Sequence, residues 1–258
     1  MMLLVLIFLF FIVEIQSLSL KRLSYLQLSS SKRLSYLQLS SKDINNVNIN
    51  DILKDKSFIS TILSMAIISA PLGTMLDNQH GLFHVLEYDQ NYGYPMNLII
   101  NDITFIKSAI WVPLLFGIAG LLMSSIALVG DKIYNSNSKT IYPSYPKVFY
   151  GISMFSFQYW MSGLLDINNI DNSIIHSTMF ALMLIGIYIF DTSTTGIILA
   201  ILTGIGGPLI EILLINTTHM YKYTNADFFG IDSWICWIYA LGAPAVANLA
   251  RRLKKDMQ

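Results

Sequence analysis

The sequence predicts an all-α membrane protein built as a bundle of six transmembrane helices. Three observations predict it. First, the chain of 258 residues is 54% hydrophobic and only 12% charged, against ~25% charge in an average soluble protein. That leaves too little polar surface to cover a soluble domain of this size. Second, six apolar runs occur at about 57–76, 108–130, 148–165, 173–190, 195–216 and 232–250, each near the ~17–25 residues that carry a helix across a bilayer. Third, six spans with both ends on one face place fourteen basic residues on that face and only Lys107 and Lys222 on the other. Such a bias is the positive-inside signal, and it sets that face toward the cytosol, or toward a plastid stroma. Net charge is zero, so nothing points to nucleic acid.

The first 56 residues read as a leader or a disordered tail. Residues 2–13 form a twelve-residue apolar run closed by Glu14, too short to span but of the length of a signal-peptide core or a buried helix. The repeat KRLSYLQLSS follows at 21–30 and again at 32–41, and no acid occurs between Ile15 and Lys42. That composition suits an organelle transit segment, and equally a surface-lying tail duplicated by replication slippage. The asparagine-rich stretch 43–56 reads as linker. Residues 57–258 form the six-helix domain.

The run from Ile187 to Glu211, IYIFDTSTTGIILAILTGIGGPLIE, carries most of the information. Asp191 opens a five-residue polar break between the fourth and fifth runs. Gly196, Ala200 and Gly204 recur every fourth residue and so share one helix face, with Gly207 and Pro208 close behind. A stripe of small residues in lipid is a packing seam, because two backbones can approach there. Glu211 follows Gly207 by four residues and is an ionisable group near the end of a span, a position that costs free energy and marks either function or a structural bond. The GIGGP string is not a phosphate loop, since no Lys-Ser or Lys-Thr follows it.

Other candidates carry less. His80 and His84 stand four apart, with Asp77, Glu87 and Asp89 nearby. Polar loop contacts suit them better than a metal, for no matching ligand cluster occurs elsewhere. His176 suits a hydrogen bond between helices. No nucleophile and base pair at useful spacing is evident, so neither an enzyme nor a cofactor is expected. Cys236 is the only cysteine, so no intrachain disulfide exists.

Five blocks then match one family: SAIWVP at 108–113, FDTSTTG at 190–196, YKYTNADF at 221–228, DSW at 232–234 and ANLARRL at 247–253. In order and spacing the chain resembles the Insig (insulin-induced gene) proteins, as a divergent member of protist or algal type. The resemblance implies a six-span regulator of the endoplasmic reticulum without catalytic activity. It implies an oxysterol or other lipid, sterol or diacylglycerol-like, bound within the bundle. It also implies sterol-sensing membrane proteins and sterol-synthesis enzymes such as HMG-CoA reductase as partners. The family's partner-binding aspartate falls on Asp191, while Thr192 and Thr194 replace the two arginines of the family's FDRSRSG hairpin. On this reading Trp111, Pro113, Gly204, Gly207 and Glu211 border the lipid, and Tyr223, Asp227, Phe228 and Trp234 anchor the far interface. The long acidic loop 77–107 is an insertion relative to the animal proteins. The rival reading is a small-solute transporter or channel, with Glu211 and His176 opening a polar path. The plastid is the alternative location, should the leader be a two-part targeting segment.

Overall fold

Six long helices alternate in direction. In the computed structural model, which describes residues 54–134 and 142–258, they are α1 (Lys56–Leu82), α2 (Val112–Tyr134), α3 (Tyr145–Ile167), α4 (Asn172–Phe190), α5 (Thr194–Thr218) and α6 (Ile235–Asp256). The leader, the tandem repeat and Lys139 lie outside the described residues.

Each helix start has a local cause. Asp55 caps α1 by accepting the Ser57 amide at 3.0 Å. Ser144 caps α3, with Pro146 in its first turn. Asp171 caps α4, and Ser193 caps α5 through the Gly196 amide at 3.0 Å. These side chains satisfy amides that have no partner in the first turn. Pro113 enters α2 in its first turn, where a missing N–H costs nothing. At the far end of α5, His219 turns left-handed at φ 53° and stops the helix.

The helix α6 is the axis of the bundle: it packs against each of the other five. Ile235, Ile238, Leu241, Ala243 and Ala247 are all buried. The other faces of α1, α2, α4 and α5 are apolar yet exposed, as at Ile67, Leu114, Leu184 and Ile205. Those four helices are long and apolar enough to cross a membrane. The two remaining ones are more polar for a visible reason. The helix α6 carries Arg251, Arg252, Lys254 and Lys255 at one end. In α3 the amide of Gln158 is fully buried and donates to the Met179 carbonyl at 2.9 Å.

One expectation is corrected. The stretch 77–107 is not simply a loop, for short strand pairs stand beside the six helices. The helix α1 runs on to Leu82, roughly 40 Å from its start at 1.5 Å per residue. Four short strands follow: β1 (Leu86–Tyr88), β2 (Pro95–Ile100), β3 (Ile103–Ala109) and, after α5, β4 (Tyr221–Tyr223). The hairpin β2–β3 turns at Asn101 and Asp102, both left-handed at φ 49° and 62°, the geometry of a two-residue hairpin loop. Its Ile, Phe and Thr residues favour extended backbone. The pair β1–β4 is antiparallel and sets Leu86 opposite Tyr223 and Tyr88 opposite Tyr221. It joins the segments after α1 and after α5, so it ties two distant parts of the chain at one end of the bundle.

Candidate ligand site and the polar clusters at the two ends

The bundle has a basic end and an acidic end. At the basic end, where α4 turns into α5, Asp191 is buried. Arg251 of α6 donates from Nη1 to Asp191 Oδ2 at 2.5 Å, and from Nε and Nη2 to both oxygens of Asp131 in α2 at 2.6 and 2.8 Å. A guanidinium fork matched to one carboxylate and bonded to a second is a strong, directional arrangement. Asp191 Oδ1 also accepts the Ser193 amide, and Asn248 donates to the Phe190 carbonyl at 3.0 Å. Gly196 is required here, since a Cβ would stand 2.3 Å from the Asp191 carboxyl. Thr192 and Thr194 are exposed beside this buried latch. The sequence placed Asp191, Thr192 and Thr194 together on one hairpin, and the structure separates them into one anchor and two surface groups.

At the acidic end, carboxylates meet phenols. Glu211 accepts a hydrogen bond from Tyr223 at 2.6 Å and another from Tyr239 of α6. Asp77 of α1 accepts from Tyr88 at 2.5 Å and from Ser108 at 2.7 Å. Trp111 lies 5.8 Å from the Tyr88 ring and 5.6 Å from the Tyr221 ring, and its indole donates to the Gly93 carbonyl at 2.8 Å. Tyr221 in turn reaches Glu211. Trp111 and Glu211 are thus linked through one tyrosine, while Pro113 stands in the first turn of α2. Gly204 packs on Ala240 and the Cys236 carbonyl, and Gly207 packs on the Tyr239 ring. Both therefore lie in the seam between α5 and α6, and close packing at Gly207 aims Tyr239 at Glu211. Burial raises the phenols of Tyr88, Tyr221 and Tyr223 above their usual range, as do the carboxylates beside them. They stay protonated donors.

The loop before α6 is held by another carboxylate. Burial opposes the charge of Asp227, but hydrogen bonds from the Ser233 hydroxyl and amide and from Asn172 outweigh it and hold the carboxyl below its usual range. Trp234 is buried and meets the His80 ring edge-on at 5.9 Å. Phe228 is half-exposed beside Phe229. Asp232, ahead of α6, is buried with its Oδ2 lacking any hydrogen-bond partner among the described residues. Burial first, and then the charges of Asp166, Asp227 and Glu211, push its carboxyl up to about 8.

The histidines divide. His80 is buried at the end of α1, where its Nε2 lies 2.9 Å from the Ser162 hydroxyl. His84 stands in the turn beyond, 3.0 Å from the Lys107 amine. His176 bridges helices as its position suggested, with Ser233 at 2.8 Å and the Trp237 indole at 3.0 Å. Among the described residues no group of His, Cys, Asp and Glu is placed to hold a metal.

Above the carboxylate and phenol cluster opens a cleft of about 530 Å³. Its walls come from both strand pairs and the last turns of α5. Sequence reasoning singled out Glu211 and named Asp77 only as a neighbour of His80 and His84; it missed Tyr88, Tyr221, Tyr239 and Arg251 as members of these clusters. Their partners lie 11 to 60 residues away or farther along the chain, beyond the reach of any local spacing.

Comparison with known proteins shows what the chain is similar to. No protein-family model matches the chain. An insulin-induced gene 1 protein of Danio rerio is 30% identical over 151 residues, which is 58% of this chain. The chain spans 58% of that relative's length. Two solved structures share the fold. A mycobacterial Insig homolog, MvINS of Mycobacterium vanbaalenii, superposes with a TM-score of 0.60 at 15% identity, covering 76% of this chain and 94% of its own. A cross-linked trimer of MvINS gives 0.59 at 15% identity with the same coverage. Sequence likeness to an Insig protein over part of the chain and a fold shared with Insig homologs thus point the same way.

Proposed function

We propose that this chain is a non-catalytic regulator that spans the endoplasmic reticulum membrane six times. It binds a sterol or diacylglycerol-like lipid among its helices and controls sterol-sensing membrane proteins. The observation that carries this reading is the likeness to the Danio rerio insulin-induced gene 1 protein, together with the fold shared with MvINS. The helices α3 and α6 complete the six spans, for a helix shielded by its neighbours needs no lipid-compatible face of its own. The basic end then faces the cytosol.

The lipid lies along α5 where it meets α6, with Trp111 and Pro113 shaping the entry on α2 and Glu211 marking the polar limit. Pro208 removes one amide from the α5 ladder, so the Gly204–Pro208 stretch is where α5 yields. Each buried methylene contributes ~0.8 kcal/mol, ample for a sterol-sized body. A lipid that fits one arrangement of α5 against α6 better than another shifts the population toward it. The latch of Asp191 and Arg251 couples that shift to the hairpin, where Thr192 and Thr194 meet the partner.

Purified chain is mixed with radiolabelled sterol and, separately, with diacylglycerol. Saturable binding to one of them is expected, and its absence for both sinks the lipid reading. Co-purification of sterol-sensing membrane proteins should be lost in Asp191→Ala; unchanged partners would remove the docking reading. The transporter alternative draws no support from the relatives named above. Imaging with residues up to Lys42 present or deleted separates the endoplasmic reticulum from the plastid.

A further inference from the structure

Among the described residues the acidic end holds two lysines and no arginine, Lys107 and Lys222, and both line the same cleft. Along with them stand Glu87, Asp89, Tyr88 and Tyr221. We propose that this cleft binds a zwitterionic headgroup, a phosphate carrying an ammonium. The placement follows from strand register. Asn97 and Lys107 are cross-strand partners in the hairpin β2–β3, and they form one wall. Glu87 and Lys222 are partners in the pair β1–β4, and they form the facing wall with Tyr88 and Tyr221.

The two lysines supply a phosphate with charge-assisted donors, and Asn97 and His219 add polar groups beside them. The carboxylates and the tyrosine rings suit an ammonium, which is drawn both by opposite charge and by aromatic faces. The lysines are already engaged, but loosely. Lys222 lies 3.6 Å from Glu87, with both side chains well exposed, and Lys107 pairs with the exposed His84. Exposed pairs of this kind contribute little, so a phosphate oxygen replaces them readily. A volume near 530 Å³ suits a headgroup of this size. Ile215 of α5 also lines the cleft, and α5 carries the exposed apolar face, so acyl chains have a route from the headgroup to lipid.

The test uses the full chain in a maltoside detergent, which carries no phosphate, titrated by calorimetry with dihexanoyl phosphatidylcholine below its micelle concentration. Saturable binding is expected. It weakens by roughly tenfold or more in Lys107→Ala/Lys222→Ala and is kept in Lys107→Arg/Lys222→Arg. It is unchanged in Lys54→Ala/Lys56→Ala on the other face. Thermal unfolding of each variant checks that the fold survives. Competition by free phosphocholine identifies the headgroup itself as the ligand; lysine-dependent binding without such competition supports the proposal with an intact lipid as the source. Inorganic phosphate binding as tightly as phosphocholine would overturn it, since the ammonium half would then contribute nothing. Absence of saturable binding, or equal affinity in the alanine double variant, overturns it as well. Sterol binding measured in the same samples should not change with the lysines, so the loss of one activity without the other separates this proposal from the function above.

Discussion

Arg251 sits between two carboxylates contributed by other helices, and the packing of the basic end depends on it. Removing one partner of a buried ion pair leaves the other charged and unsolvated. Arg251→Met should cost ~3–5 kcal/mol, because Asp131 and Asp191 would then face each other without a cation. Thermal melting in detergent measures it, and a melt unchanged from wild type refutes the latch. Asp232 gives a pH signature. Its carboxyl is raised to about 8 in the folded chain, while an unfolded chain titrates near ~3.9. Between those values the folded state holds a proton that the unfolded state has released. Its contribution to stability is therefore full at acid pH and declines as pH rises through that window, levelling above it. Asp227, held low, contributes in the opposite sense and only below the window. Melting temperature recorded from pH 5 to 9 should fall in wild type, and Asp232→Asn should flatten much of the fall. Asp191 was legible from its place in a polar break, but Arg251 was not. The two lie 60 residues apart, and no spacing rule links them.

At the level of elements, the stripe on α5 was readable because helical periodicity is local. Gly196, Gly204 and Gly207 each sit against a neighbour that a Cβ would press. Adjacent glycines make a sharp comparison. Gly206 faces open space, with nothing within 4 Å of an added Cβ, whereas a Cβ at Gly207 would come within 2.5 Å of the Tyr239 ring. Gly206→Ala should be neutral or gain up to ~1 kcal/mol from helix propensity. Gly207→Ala should lose ~1–3 kcal/mol from overpacking, and it should displace the Tyr239 hydroxyl from Glu211. Unfolding in a denaturing detergent series compares the two; equal effects would remove the seam. The strands were missed for a related reason. Apolar character near Leu98 to Phe105 is not enough to tell a hairpin, and β1 finds its partner β4 beyond four intervening helices. Long-range pairing of that kind leaves no trace in a short window. The runs that became α3 and α6 were found by length, and both form long helices.

On the scale of the whole molecule, the fold shows two chemically different ends and an apolar waist. Exposed Ile, Leu and Phe on α1, α2, α4 and α5 surround a buried α6, a distribution that water would not tolerate over so large an area. Among the described residues most ion pairs collect at one end, through Asp55, Lys132, Asp131, Arg251 and Lys254. The tyrosines bonded to Asp77 and Glu211 collect at the other. The sequence predicted that division from the position of its lysines and arginines, because orientation depends on charge near the spans rather than on contacts. It did not reveal the cleft, which exists only once β1 and β4 meet. The most direct measurement labels single cysteines with a membrane-impermeant maleimide in sealed vesicles, on a Cys236→Ser background. Thr192→Cys reports the hairpin between α4 and α5, and Ala226→Cys reports the segment between β4 and α6; both positions are exposed. Six spans predict that the two label from opposite sides of the membrane, with Thr192→Cys on the cytosolic side. Labelling of both from the same side contradicts the account.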